Sequence, residues 1–531
     1  RNLGDIVNSP IVAVGEYLAT SANDGMVHIF KQSGGDKRSY NLKLSYIPGT
    51  MPRKDIENKD STLAKELRAF AEKGYVGDRY GVDGGFVLRR ITDDQDKQKH
   101  FFMFGAMGLG GRGAYALDLT KAENGDPTAV SLFDVKHDNN GKNSNNSVQL
   151  GYTVGTPQIG KTHDGKYAAF LASGYATKDI DNSENKTALY VYDLESSGTL
   201  IKKIDVPGGK GGLSSPTLVD KDLDGIVDIA YAGDRGGNMY RFDLSGQDPN
   251  QWSVRTIFSG NKPITSAPAI SQLKDKRVVI FGTGSDLSEE DVDSKEIQHV
   301  YGIFDNDTDT GTAQDGQGKG LLEQKLEKDK DGKTLFLSDY KRSDGSGDKG
   351  WVVKLEAGQR VTVKPTVVLR TAFVTIHKYT GNDKCGAETA ILGINTADGG
   401  KLTKKSARPI VPADNTAVAQ YSGHKKTSSG KSIPIGCMEK DNGIVCPNGY
   451  VYDKPVNVRY LDEKKTDGFS TTADGDAGGS GTFKEGKKPA RNNRCFSRKG
   501  VRTLLMNDLD SLDITGPMCG MKRISWREVF Y

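Results

Sequence analysis

The sequence predicts an all-β chain closed as a modified seven-bladed β-propeller, with long loop insertions and one short helix. Strand-like runs recur under a single grammar along the chain. The composition also suits many short strands and turns: 65 glycines and 21 tyrosines stand beside only 35% hydrophobic residues. No stretch approaches the ~20 consecutive apolar residues of a membrane-spanning helix.

The recurring unit opens with a small residue and a proline. It continues into an apolar strand running to glycine and ends in a second strand that finishes at Asp or Asn. Asn8, Ser9 and Pro10 lead the first copy, with strands at 17–20 and 26–30 about the turn Ala22, Asn23, Asp24 and Gly25. Runs 101–104 and 113–119 supply the next blade. Gly155, Thr156 and Pro157 lead runs 167–171 and 188–193. Ser214, Ser215 and Pro216 lead the run 226–233 and then 234–243, and Ser266, Ala267 and Pro268 lead 278–282 and 300–305. Pro365 and Thr366 lead a copy ending at 390–395, and the terminal run 525–530 is placed to close the ring. Irregular spacing of such units, roughly 50–90 residues apart, is what blades with decorated connections give.

One helix is expected over a propeller face. Asp60 or Ser61 caps it, Leu63, Leu67 and Phe70 form its apolar stripe, and Gly74 ends it. Stretches 306–350 and 462–494 are rich in Gly, Asp and Lys and are expected to be mobile excursions. The whole of 1–531 is read as a single propeller domain. Its start at Arg1, without a signal peptide, reads as a C-terminal fragment of a longer exported protein.

The most specific chemical signal lies at 220–228, where Asp220, Asp222, Asp224 and Asp228 occupy positions 1, 3, 5 and 9 about Gly225 at position 6. Ca²⁺ takes six to eight oxygen ligands, and this spacing directs alternate carboxylates at one point while glycine makes the bend. Position 7 offers the backbone carbonyl of Ile226. Position 12 of a full EF-hand needs a bidentate Glu, and here it is Tyr231. The flanking runs are β-branched, so the loop joins two strands and reads as a calcium staple on a hairpin. Asp305, Asp307 and Asp309 repeat the alternate spacing without the glycine or the ninth-position acid.

Other chemistry is excluded or thin. Net charge is +4 (73 basic minus 69 acidic residues), too small a field to argue for nucleic acid. A local basic segment, from Lys484 through Lys487, Lys488, Arg491, Arg494, Arg498 and Lys499 to Arg502, reads as a solvated loop or a patch for an anionic partner. Gly108 to Gly113 lacks the Gly-Lys-Ser/Thr ending of a phosphate loop and precedes a strand, so it is read as a tight turn. No nucleophile elbow or zinc spacing is present, and no catalytic residue is assigned. Cys437 and Cys446 bracket a turn that a disulfide could close, and Cys495 with Cys519 is the next pair, leaving Cys385 over. Such bridges imply an oxidising compartment.

Asn8-Ser9-Pro10, the glycines at 110, 111 and 113 with Ala116-Leu117-Asp118, Ser215-Pro216 running into 220–228, Ala232-Gly233-Asp234 with Tyr240-Arg241-Phe242-Asp243, and Ser525-Trp526-Arg527-Glu528 together resemble the PilC/PilY family of type IV pilus-associated proteins. The resemblance spans essentially the whole chain. It implies the family's C-terminal domain, a modified seven-bladed propeller with one calcium site whose occupancy influences pilus extension and retraction. By position, it carries the calcium ligands onto Asp220, Asp222, Asp224, the Ile226 carbonyl and Asp228.

The expected function is therefore that of a non-enzymatic calcium-binding factor of pilus biogenesis and twitching motility that also supports adhesion. Expected partners are pilins or minor pilins and a host cell-surface receptor, at the outer membrane, cell surface or pilus tip of a Gram-negative bacterium. The chain lacks the family's large N-terminal region and any Arg-Gly-Asp sequence. Two alternatives stand beside this reading: an adhesin domain binding a glycan or protein directly, and a quinoprotein-like dehydrogenase. The second would need open metal positions for a quinone, which a loop saturated by its own carboxylates does not offer.

Overall fold

The computed structural model describes residues 3–401 except 36–38, 51–67, 69–70, 73–79, 139–146, 274–275, 309–310, 317–319, 329–334, 342–346, 369–370 and 381–385. Beyond 401 it describes the segment 477–486 and short strands between 424 and 514. Six successive sheets dominate. The first holds β1 (Val12–Val14), β2 (Tyr17–Ser21), β3 (Val27–Gln32) and β4 (Tyr40–Tyr46). The second holds β5 (Phe86–Thr92), β6 (Gln98–Ala106), β7 (Gly113–Asp118) and β8 (Ser131–Lys136), and the third β9 (Gln158–Lys161), β10 (Tyr167–Ala172), β11 (Ala188–Asp193) and β12 (Leu200–Asp205). The fourth holds β13 (Thr217–Val219), β14 (Ile229–Gly233), β15 (Asn238–Asp243) and β16 (Ser253–Ser259).

The fifth sheet begins with β17 (Ala269–Gln272), β18 (Arg277–Gly282) and β19 (His299–Asp305). The stretch expected to be a free excursion then supplies β20 (Ala313–Gln314), β21 (Leu321–Gln324), the hairpin β22 (Leu326–Lys328) and β23 (Leu335–Leu337), and leads into β24 (Gly350–Lys354). β20 pairs in parallel with β16 and β21 with β24, so the insertion lines the outer edges of two sheets. Among its apolar residues Ala313, Leu322 and Leu337 are buried, which anchors an otherwise polar stretch. The sixth sheet holds β25 (Thr366–Val368), β26 (Thr371–Thr380) and β27 (Gly386–Asn395).

The central strands of the second to fifth sheets are buried on both faces because each of these sheets is sandwiched between two others. Alternation then sorts one strand's side chains between two cores. On β6, Phe102, Phe104 and Ala106 pack with the third sheet, while Phe101 and Met103 pack with the first. On β10, Tyr167, Ala169 and Leu171 face the second sheet, and Ala168, Phe170 and Ala172 the fourth. On β18, Val279 and Phe281 face the fourth sheet, and Val278 and Ile280 the sixth. Sheet packs on sheet in chain order, the arrangement of propeller blades.

The recurring grammar has structural work to do. The aspartate closing a strand accepts the backbone N–H two residues on: Asp118 from Thr120 (3.1 Å), Asp193 from Glu195 (2.8 Å) and Asp243 from Ser245 (3.0 Å). Asn395 does the same toward Ala397. The proline lead-ins tie consecutive sheets: Thr156 N–H donates to Ser215 Oγ at 2.9 Å, and the Thr217 hydroxyl to the Pro268 carbonyl at 2.6 Å. Gly155 stands at φ +106°, where a Cβ would lie 1.9 Å from Ser215 Oγ, so only glycine fits this junction.

The expected helix at 60–74 falls largely outside the described residues, of which 68, 71 and 72 are helical. The described helix Glu289–Asp293 lies instead between β18 and β19, with a capping box from Ser288 and Asp291. The run 525–530 and all five cysteines, Cys385, Cys437, Cys446, Cys495 and Cys519, also lie outside the described residues. Gly108–Gly110 forms a 3₁₀ turn ahead of β7, as expected of a tight inter-strand connection. Among the described residues no helix is long and apolar enough to cross a membrane.

Candidate metal centre

β13 and β14 pair antiparallel, Val219 opposite Ile229, and the intervening residues 220–228 form the acidic loop. It is closed at its base by Asp228 N–H donating to the Val219 carbonyl at 2.9 Å. Asp220, 3% exposed, organises the first half: Oδ1 accepts from Asp224 N–H (3.2 Å) and Oδ2 from Gly225 N–H (2.7 Å). Asp224 Oδ1 accepts from Ile226 N–H at 2.8 Å. The bend needs left-handed backbone at Leu223 (φ +59°) and Gly225 (φ +90°). That geometry costs nothing special at glycine but roughly 1 kcal/mol or more at leucine.

This folding brings one carboxylate oxygen from each of Asp220, Asp222 and Asp224 within 4.8 Å of the others. Asp228 lies outside that trio. It is 2% exposed, with Oδ1 2.8 Å from His163 Nε2 and Oδ2 accepting from Lys221 N–H at 2.9 Å. Burial pushes the Asp220 carboxyl up to about 7, reinforced by its acidic neighbours. Burial also raises Asp228, against the hydrogen bond from His163. Asp222 is opposed by its own partial burial, yet hydrogen bonds with Asp220 and Asp224 outweigh this and hold it below the ordinary carboxylate range. Crowded carboxylates of this kind favour a neutralising cation, and an all-oxygen donor set suits Ca²⁺ far better than Zn²⁺.

Three neighbours grip the loop. From the third sheet, the Lys161 carbonyl accepts Val227 N–H at 2.8 Å, Lys161 and Ile226 form a parallel bridge, and His163 holds Asp228. From the fifth, Asp307 pairs with Lys221 at 3.4 Å. Asp307 also takes Arg241 (2.9 Å), and Asp305 takes Arg241 and Arg255 at 3.0 Å each. The alternate acids at 305 and 307 are therefore engaged by arginines from β15 and β16; Asp309 lies outside the described residues.

The third neighbour comes from the far end of the chain. The strand Gly481–Lys484 pairs in parallel with β5, at the edge away from β8. Just before it, Ala477 N–H donates to the Leu218 carbonyl (3.0 Å), and the Gly478 carbonyl accepts from Ile159 N–H (3.2 Å). Phe483 packs edge-on to Tyr167, centroids 6.2 Å apart, and reaches Gly225. So part of the stretch expected to be a mobile excursion at 462–494 laces the second, third and fourth sheets together. Of the basic segment, Lys484 is described and pairs with Asp96 at 2.7 Å. Sequence reasoning missed His163, Phe483 and the arginine cluster, whose proximity arises from ring packing and leaves no local spacing signal.

A family model described as the PilY1 beta-propeller domain matches residues 3–341. The type IV pilus biogenesis factor PilY1 of Pseudomonas aeruginosa strain PAO1 is 30% identical over 371 residues, covering 58% of this chain and 29% of that protein. A PilY1 homolog of Xylella fastidiosa strain Temecula1 is 28% identical over 319 residues, covering 55% of this chain and 19% of its own length. The chain thus spans less than a third of these curated relatives. The crystal structure of the Pseudomonas aeruginosa PilY1 C-terminal domain superposes with a TM-score of 0.53 at 25% identity, covering 74% of this chain and 80% of that one.

Proposed function

Because the chain belongs to the PilY1 β-propeller family, we propose that it serves type IV pilus biogenesis as a non-enzymatic, calcium-holding propeller whose loop state bears on pilus extension and retraction. The observation that carries this reading is the convergence of Asp220, Asp222 and Asp224 within 4.8 Å on a strand-to-strand loop. The residues that would hold calcium are these three, the Ile226 carbonyl and Asp228. Bound there, calcium would neutralise the mutual repulsion of the carboxylates and fix the loop.

The chain's own residues turn that local event into a wider one. Lys221 and Asp307 connect the loop to the fifth sheet, Lys161 and His163 to the third, and Gly225 to the segment 477–485. Ordering the loop therefore stiffens a junction of several blades. The place of action is the cell surface or pilus tip, the partners are pilins or minor pilins, and adhesion to a host surface is a further role of the same assembly.

Asp224→Ala in the full-length protein tests the reading. The expected result is normal surface display with altered pilus retraction and twitching. Unchanged motility with a proven loss of calcium would refute the regulatory role.

A further inference from the structure

We infer that His163, on the turn between β9 and β10 of the neighbouring sheet, is a positioning residue for the metal loop: it orients Asp228 and thereby sets the loop's affinity for calcium. This rests on the calcium reading of 220–228 and adds a residue outside the loop to it.

The geometry is specific. Asp228 presents both carboxylate oxygens to fixed donors, His163 Nε2 at 2.8 Å on Oδ1 and Lys221 N–H at 2.9 Å on Oδ2. A carboxylate can only accept, so Nε2 carries the proton. Each donor occupies one lone pair of its oxygen, leaving others for a cation, and together they fix the plane of the carboxylate. His163 is itself held. Its turn is closed by Thr162 N–H to the Lys166 carbonyl and Gly165 N–H to the Thr162 carbonyl, both at 2.9 Å. One residue before that turn, Lys161 accepts Val227 N–H at 2.8 Å.

The loop thus has two halves of different origin. Asp220 organises residues 220–225 from within, whereas 226–228 are registered by the third sheet. A ligand carboxylate without such a donor must lose its own rotational freedom on binding, and removing an outer partner of a metal ligand commonly weakens affinity about 10- to 100-fold. By reciprocity of coupled equilibria, whatever calcium gains from His163 is returned as a tighter junction between the third and fourth sheets.

The test compares His163→Leu, which keeps bulk without a donor, with His163→Gln, whose terminal amide N–H can replace Nε2. Calcium titration calorimetry and melting in chelator are measured on each. His163→Leu is expected to bind about tenfold more weakly and to melt below the parent in chelator, because buried Asp228 loses a donor, and His163→Gln to recover most of both losses. Equal affinity in all three proteins, or equal loss in both variants, would overturn the positioning role while leaving the loop a calcium site. Absence of calcium binding in the parent would overturn the calcium reading and this inference with it.

Discussion

Gly225 of the acidic loop and Phe483 of the strand Gly481–Lys484 lie so close that a Cβ on Gly225 would stand 2.9 Å from two atoms of the Phe483 ring. The two are far apart in the chain, and a side chain at Gly225 would require the Phe483 ring to move. Gly225→Ala therefore meets two obstacles, the ring and a φ of +90°. We expect a loss of about 1–3 kcal/mol in urea unfolding. In a Phe483→Ala background the same change should cost measurably less, leaving mainly the backbone strain. A double-mutant cycle reads the coupling; additivity would show that the ring is not the obstacle.

Asp305 is the keystone of a buried charge cluster. It is 3% exposed and takes Arg241, Arg255 and the Tyr231 hydroxyl, with Arg277 at 3.8 Å. Arg241 and Arg277 are themselves 7% and 6% exposed. Asp305→Ala leaves buried guanidinium groups undercompensated, and a loss of about 3–5 kcal/mol is expected. The denaturant midpoint measures it, and a change below about 1 kcal/mol would contradict the role assigned to this cluster.

His100 gives stability a pH dependence of defined sign. Its pKa is raised above the ordinary 6.5, first by its hydrogen bond with Asp118 and against the opposing effect of burial, with Glu195 adding charge. The contribution is complete below the unfolded-state value and is lost as pH rises through the folded one. Partial exposure of the His100 side chain keeps it under about 1 kcal/mol. Comparing His100→Gln with the parent from pH 6 to 8.5, the difference in stability should shrink as pH increases. A difference that grows would reverse the assignment.

The cysteine pairing proposed from the sequence has a backbone frame. Strands Met438–Lys440 and Gly443–Val445 pair antiparallel with Met438 opposite Val445. Cys437 and Cys446 flank that hairpin in the sequence and lie outside the described residues. Peptide mapping without reductant should recover those two cysteines linked. Recovery of either one joined to Cys385, Cys495 or Cys519 would overturn the pairing.

Strands sandwiched between two blades were legible because both faces are apolar, as in the run Ala188–Asp193, every residue of which is buried. Outer strands were not: Tyr40–Tyr46 is largely exposed and alternates polar and apolar residues without a sharp boundary. The acidic loop was legible for a different reason, since all its candidate ligands lie within one short stretch and their spacing encodes the geometry. His163, Asp307 and Phe483 reach the same place through packing between sheets. No spacing in a single chain records which turn of one blade will meet which loop of the next.

The central claim is that residues 220–228 hold calcium. Titration calorimetry of the purified chain, beside Asp224→Ala, tests it most directly. One calcium bound per chain, with binding abolished in the variant, is the predicted result. No heat of binding in the parent, or equal affinity in the variant, would contradict it.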